Sequence, residues 1–267
     1  MYRLSLIFVV SAFLAFACGK KQETQNVVSD TAQEQGQVTV NFVAIPSLSA
    51  MLNSLDHLQE SDFSAVQAKN YVLSVDANYK YALNLGVAVA DGIISVKAKN
   101  KDAIVAISAD ILSIAEVLGI KDSIVMIVDS MNQLIQGGSF EGLVPALESC
   151  QSQVENTMMA LSDVDQLTFI QIGGWVEGLF WTTKLIQKNY KQDYTKVIFD
   201  KKGFIDHLLS NMCTFSESLN QIEGVQTIKT SLTDIQGVLN QTENDLYSQE
   251  QINKLVELSQ GILATFK

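Results

Sequence analysis

The chain has 267 residues, 47% of them apolar and 18% charged, which is enough for a sizeable core and excludes wholesale disorder. Its 18 basic and 29 acidic residues give a net charge of −11, which argues against nucleic-acid binding and against electrostatic binding to anionic lipid surfaces. The chain contains only 2 prolines, and this low content favours long helices. Its 3 cysteines and 2 histidines provide few ligands for a metal site. We therefore expect an all-α protein without metal or cofactor.

Residues 1–17 have the features of a secretory signal peptide. Arg3 precedes an apolar run that is too short to span a bilayer as a permanent helix. The end of this run, Leu-Ala-Phe-Ala-Cys-Gly at 14–19, resembles a bacterial lipobox, in which Cys18 is acylated and becomes the first residue. The usual leucine three places before the cysteine is Ala15 here. Ordinary cleavage after Ala17, or a plain anchor helix, are the alternatives.

Residues 18–40 are predicted to be the lipidated cysteine and a flexible tether. The stretch 19–37 is rich in Gln, Glu, Thr, Lys and Ser, so it has little apolar surface to offset the entropy of ordering. Lys20 and Lys21 come soon after Cys18, and no run of acidic residues follows them. This pattern favours an outer-membrane protein that faces the periplasm over one displayed on the cell surface.

Residues 41–267 are predicted to form a single helical domain, an up-and-down bundle of about eight or nine helices. Apolar residues recur at three- and four-residue spacing in most of these segments. The predicted helices cover roughly residues 47–57, 72–100, 102–118, 122–136, 139–161, 163–189, 204–222, 225–241 and 248–266. A short strand at 38–43 is a further expectation.

Local residues set several of these boundaries. Gly119 is placed to end a helix in the left-handed conformation, and Gly137-Gly138 to end the next. Ser139 is expected to cap the helix that follows, with Pro145 early enough to be tolerated or to kink it. Gly173-Gly174 is expected to interrupt the long helix 163–189, and the run 248–251 fits a capping box.

Two cysteines remain if Cys18 is acylated. In an oxidising compartment Cys150 and Cys213 could pair, which would tie two helices together. The alternative is two buried free thiols that act as small hydrophobic side chains. The two histidines, His57 and His207, are far apart and are interpreted as surface or helix-end residues.

Two stretches carry polar residues in apolar surroundings. In 81–92, Asn84 and Asp91 share one side of an apolar helix that also has a stripe of small residues at 82, 86 and 90. In 170–181, Glu177 and Trp181 share one side of a glycine-rich helix, and Trp175 lies nearby. If the two small-residue faces pack together, Asp91 and Glu177 come near one centre.

Two interpretations of these residues remain open. Asn84, Asp91, Glu177 and Trp175 or Trp181 form either a ligand-binding pocket or a buried polar network that fixes helix register. Four glycines inside helices favour close backbone packing, which fits the second interpretation.

Ala-Leu-Asn-Leu-Gly at 82–86 with Ala-Asp at 90–91, and Gly-Gly-Trp-Val-Glu-Gly-Leu at 173–179, resemble an uncharacterised family. Its members are all-helical envelope lipoproteins of Bacteroidota-type bacteria. The similarity covers roughly residues 45–190 and extends more loosely over the rest. It implies the localisation and the fold, and it implies no activity.

We therefore expect a lipid-anchored envelope protein with a non-catalytic binding or scaffolding role. Its partners would be the membrane, through the anchor, and a small molecule or protein that the sequence does not identify. A small-molecule sensor or carrier with a pocket around Asp91 and Glu177 is the alternative. An enzyme that uses these two carboxyl groups as acid and base is a third hypothesis, which we favour less.

Overall fold

The computed structural model describes residues 63, 77–199, 202–242 and 244–266, and this part of the chain is an all-α bundle. The predicted signal peptide, tether, strand 38–43 and helix 47–57 lie outside the described residues. The helices are α1 (Asn78–Lys97), α2 (Lys101–Val117), α3 (Lys121–Gln136), α4 (Leu143–Ala160), α5 (Val164–Lys188), α6 (Lys196–Phe199), α7 (Lys202–Met212), α8 (Glu217–Asn220), α9 (Glu223–Asn240) and α10 (Gln249–Leu263). A 3₁₀ turn, Gln192–Thr195, precedes α6.

The predicted all-α class is confirmed, and each predicted helix within the described residues is present. Several predicted boundaries also hold. Gly119 and Gly138 adopt positive φ, both at 72°, just after α2 and α3. The side chain of Asp163 accepts from the backbone N–H of Gln166 at the start of α5. Ser248 and Gln251 form the expected capping box at α10.

Three boundary predictions were wrong. Helix α4 begins at Leu143 after Gly142, so Ser139 is not its N-cap. Pro145 is tolerated there, because it lies in the first turn, where it removes no intrahelical hydrogen bond. Gly173-Gly174 does not interrupt α5, because its neighbours hold this segment in the helical conformation from all sides. The helix predicted over 204–222 ends at Met212 and is followed by the separate single turn α8.

Helices α1 and α5 form the centre of the bundle. Every residue from Ala82 to Val96 of α1 is buried, and so is every residue from Leu167 to Leu179 of α5. A helix that is apolar around its whole circumference must be covered by other elements on every side. The apolar content of these two segments therefore places them inside the bundle.

The two central helices touch along their backbones. A Cβ atom added to Gly86 would overlap the carbonyl oxygen of Ile170, and one added to Gly173 would overlap the carbonyl oxygen of Leu83. Glycine is required at both positions because any side chain would push the helices apart. Since Leu83 meets Gly173 and Asp91 meets Trp181 further along, α1 and α5 run parallel.

The remaining helices pack around this pair. Helices α2 and α4 pack against α1, and α3 packs between α2 and α4. Helices α7 and α10 pack against α5, and α9 packs against both of them. Gln187 near the end of α5 donates to Asn253 near the start of α10, so these two helices run antiparallel. Among the described helices, none has the length and apolar character needed to cross a membrane.

Candidate functional site

The indole nitrogen of Trp181 links the two central helices through two carboxyl groups. It donates to Oδ1 of Asp91 on α1 at 3.0 Å and to Oε1 of Glu177 on its own helix at 2.8 Å. The same hydrogen is therefore shared between two acceptors. Because both oxygens reach one nitrogen, the two carboxyl groups lie side by side.

Both carboxyl groups are buried in the core. Asp91 is 1% exposed and Glu177 is 0% exposed, while Trp181 is partly exposed. Removing a carboxyl group from water is costly unless it is hydrogen-bonded or paired. The close approach of α1 and α5 at Gly86 and Gly173 brings the two groups within reach of the same donor.

Asn84 belongs to a different contact. Its side-chain nitrogen donates to the carbonyl of Lys80 at 2.9 Å and to the carbonyl of Phe266 at 3.1 Å. Asn84 therefore ties α1 to the chain just after α10. Asn84 lies two helical turns before Asp91, so the two residues share one side of α1. They are about 10 Å apart along the helix axis, so the contact of Asn84 with Phe266 is separate from the contact of Asp91 with Trp181.

Trp175 does not join the carboxyl pair. It is 3% exposed, and its indole nitrogen has no hydrogen-bond partner. Of the two tryptophans that the sequence offered as alternatives, only Trp181 contacts Asp91 and Glu177.

Gln171 is a buried polar residue that the sequence interpretation missed. It is 7% exposed, and both polar atoms of its amide lack a hydrogen-bond partner. Gln171 and Trp175 are four residues apart, so they lie on the same side of α5. The signal was present in the sequence, since Gln171 is a polar residue between Ile170 and Ile172 in an otherwise apolar run.

Glu155 on α4 faces this side of α5. Burial raises the pKa of its carboxyl group, while the amides of Gln151 and Gln171 act in the opposite direction. Gln151 donates to Oε1 of Glu155 at 2.9 Å. Gln171 is close enough to influence the carboxyl group but does not meet hydrogen-bond geometry. A polar contact across such a gap is commonly completed by a water molecule.

The two cysteines occupy different environments and are not joined by a disulfide. Cys150 is buried on α4, and burial raises the pKa of its thiol to about 12. Cys213 is exposed just after α7. The expectation of a buried thiol is correct for Cys150 and wrong for Cys213, because α7 ends one residue before Cys213 and the chain turns there at the surface.

Within the described ranges, no group of three or more His, Cys, Asp or Glu side chains is placed to hold a metal ion. The buried polar groups of the described bundle include the pair Asp91 and Glu177 with its shared donor, the Asn84 contact, and the Gln171 side of α5. In comparison with known proteins, the chain matches no family model, no curated protein and no solved structure.

Proposed function

We propose that this protein is a lipid-anchored helical protein of the cell envelope with a non-catalytic binding or scaffolding role. Cys18 would carry the lipid, and residues 18–40 would tether the helical domain to the outer membrane on its periplasmic side. The motifs at 82–91 and 173–179, which resemble those of helical envelope lipoproteins, support this proposal.

One observation supports a non-catalytic role above the others. Asp91, Glu177 and Trp181 hydrogen-bond across two helices that are in backbone contact. Carboxyl groups that serve an indole donor inside a packed interface hold the register of the two helices. General acid–base catalysis instead requires the acid and base to reach a substrate.

The anchor is tested by cell fractionation of the Cys18→Ser variant, together with mass spectrometry of the N-terminal peptide from the wild-type protein. We expect an acylated Cys18 in the wild type and loss of the protein from the membrane fraction in the variant. Cys213→Ser is the control, since it removes an exposed thiol elsewhere. An unmodified Cys18 with unchanged fractionation would contradict the proposal.

The binding role is tested by native mass spectrometry of the protein purified from its own host after mild crosslinking. A protein partner in a defined ratio supports a scaffolding role. A stoichiometric small molecule supports the alternative, a sensor or carrier.

One observation favours a bound small molecule, at groups that lie outside the pair Asp91 and Glu177. Oδ1 of Asn84, both polar atoms of Gln171 and the indole nitrogen of Trp175 are buried without hydrogen-bond partners. Polar groups of this kind are usually satisfied by water or by a ligand. If a pocket around Asp91 and Glu177 binds a small molecule, Asp91→Asn and Glu177→Gln should abolish binding while melting changes only slightly. Severe unfolding of both variants with no ligand found would support the structural role.

A further inference from the structure

The helices in the described part of the chain show one packing pattern twice. In the first half, α1 packs against α2 and α4, and α3 packs against both of these. In the second half, α5 packs against α7 and α10, and α9 packs against both of these. Each half is therefore a ring of four helices that begins with one of the two central helices. The single turns α6 and α8 lie in the connections of the second half.

The helices of the first half alternate in direction. Short turns join α1 to α2, α2 to α3 and α3 to α4, so consecutive helices are antiparallel neighbours. A Cβ atom added to Gly92, near the end of α1, would lie 3.0 Å from the side chain of Leu147, near the start of α4. The fourth helix is therefore antiparallel to the first, and the half is an up-down-up-down bundle.

The second half has the same directions. The ring of Phe215, just after α7, contacts the ring of Phe169 near the start of α5, with the ring centroids 4.8 Å apart, so α7 is antiparallel to α5. Gln236 near the end of α9 donates to Asp206 near the start of α7 at 2.6 Å, so these two helices are antiparallel as well. Helix α10 is antiparallel to α5. The helices α5, α7, α9 and α10 thus match α1, α2, α3 and α4 in packing and in direction.

The contact between the two halves is reciprocal. Gly86 lies against the carbonyl oxygen of Ile170, which is three residues before Gly173. Gly173 lies against the carbonyl oxygen of Leu83, which is three residues before Gly86. Such exchange of the same contact in both directions is the property of an interface with twofold symmetry. Because α1 and α5 are parallel, the approximate twofold axis runs between them, along their length.

The two central helices also have corresponding sequences. Residues 84–86 are Asn-Leu-Gly and residues 171–173 are Gln-Ile-Gly, so an amide, an aliphatic residue and the contact glycine follow in the same order. An acid followed by glycine comes next, at 91–92 in α1 and at 177–178 in α5, with a difference of one position. Both amides and both acids are buried. The two polar stretches of the sequence are therefore corresponding segments of the two halves.

We propose that the bundle is a fused dimer of one four-helix repeat, in which α1 and α5 are the docking surface that each copy offers to the other. The first repeat is α1 to α4, and the second is α5, α7, α9 and α10. Each central helix is buried on all sides, so a separated repeat would expose the apolar face that its partner covers. The partner that fits each surface is the other repeat. This inference does not depend on the proposed lipid anchor.

The test cuts the folded chain between the repeats, because the subunits of an obligate dimer are often not stable alone. A protease recognition sequence is inserted after Ser162, an exposed residue in the turn between α4 and α5, in residues 18–267 with Cys18→Ser. After cleavage, we expect the two fragments to elute together in size-exclusion chromatography. After unfolding in urea and dilution, they should recombine, because each fragment contains one complete repeat.

The matched control has the same insertion after Gly119, in the turn between α2 and α3, which lies inside the first repeat. Cleavage there divides a ring of four helices, so we expect loss of the recombined species after urea. Circular dichroism before cleavage verifies that both proteins fold. Equal recombination after the two cuts, or separation of the fragments cut after Ser162, would overturn the proposal.

The twofold relation has a test of its own in the protein cut after Ser162. Gly86→Ala and Gly173→Ala should weaken association of the fragments equally, because the two added Cβ atoms meet corresponding carbonyl oxygens. Gly92→Ala is the control and should leave association unchanged, since its Cβ atom meets Leu147 within the first repeat. An effect at only one of the two contact glycines would contradict the twofold relation.

Discussion

Trp181 donates its indole hydrogen to Asp91, 90 positions earlier in the chain, at 3.0 Å. The same hydrogen reaches Glu177, so one donor serves two buried carboxyl groups on two helices. This arrangement is possible only because α1 and α5 approach each other at glycine. It makes the central helix pair sensitive to a small chemical change at Trp181.

The Trp181→Phe variant removes the shared donor and keeps an aromatic ring. Both carboxyl groups then lose a hydrogen bond inside the core, which should lower the free energy of unfolding by about 2 kcal/mol. Urea denaturation monitored by circular dichroism measures the change.

Trp175→Phe is the matched control for this variant. Its indole nitrogen has no hydrogen-bond partner, so the substitution costs only the smaller volume of the ring, about 1 kcal/mol. Trp175 is the more buried of the two tryptophans, and volume loss alone would therefore make Trp175→Phe the more harmful change. If the order of the two losses followed burial, the shared hydrogen bond would be of little importance.

Gly86→Ala should separate α1 from α5. The new Cβ atom would overlap the backbone of Ile170, and backbone atoms inside two packed helices cannot move aside cheaply. We expect a loss of about 3 kcal/mol in stability, or failure to fold. The melting temperature and the yield of soluble protein measure it.

Gly237→Ala on α9 makes the same chemical change in open space, since nothing lies near its added Cβ. It should raise stability by about 0.5–1 kcal/mol through helix propensity. A Gly86→Ala variant as stable as Gly237→Ala would show that the two central helices do not need their backbone contact.

Glu155→Gln should stabilise the protein at neutral pH. Burial raises the pKa of the Glu155 carboxyl group above that of the unfolded chain, so the folded state binds its proton more tightly. The stability from that proton is present at low pH and is lost as the pH rises through the folded pKa. Glutamine resembles the protonated form and can still accept from Gln151.

The gain from Glu155→Gln should shrink as the pH falls toward about 4, where the wild-type carboxyl group is protonated. Melting temperatures of the wild type and the variant across this range measure the trend. Glu141→Gln changes the charge equally at an exposed site just before the same helix and serves as the control. A gain that did not depend on pH would mean that burial of the charge is not its origin.

Native protein treated with iodoacetamide should be modified at Cys213 and not at Cys150. Cys213 is exposed, while Cys150 is buried and its thiol has a pKa of about 12, so it forms little reactive thiolate. Peptide mass spectrometry identifies the modified site, and a sample unfolded in urea should be modified at both. If neither thiol reacts in urea unless a reductant is added, a Cys150–Cys213 disulfide is present.

The helices were predictable because their apolar residues recur with the period of an α-helix, and that signal depends only on neighbours in the chain. Ends set by a local residue were predictable as well, as at Gly119, where the left-handed conformation follows from the backbone alone. Helix boundaries that depend on packing against other helices were not predictable from the sequence. Gly173-Gly174 looks like a break, but packing on every side of α5 keeps the helix continuous there.

The sequence by itself determined the helical class, the two small-residue faces and the polar residues Asp91 and Glu177 within apolar segments. Only the tertiary structure decided that Trp181, and not Trp175, serves both acids, and that Asn84 bonds to Phe266. The physical reason is the same in each case. These contacts join residues that are 90 or 182 positions apart, and the direction in which each helix packs decides whether they meet.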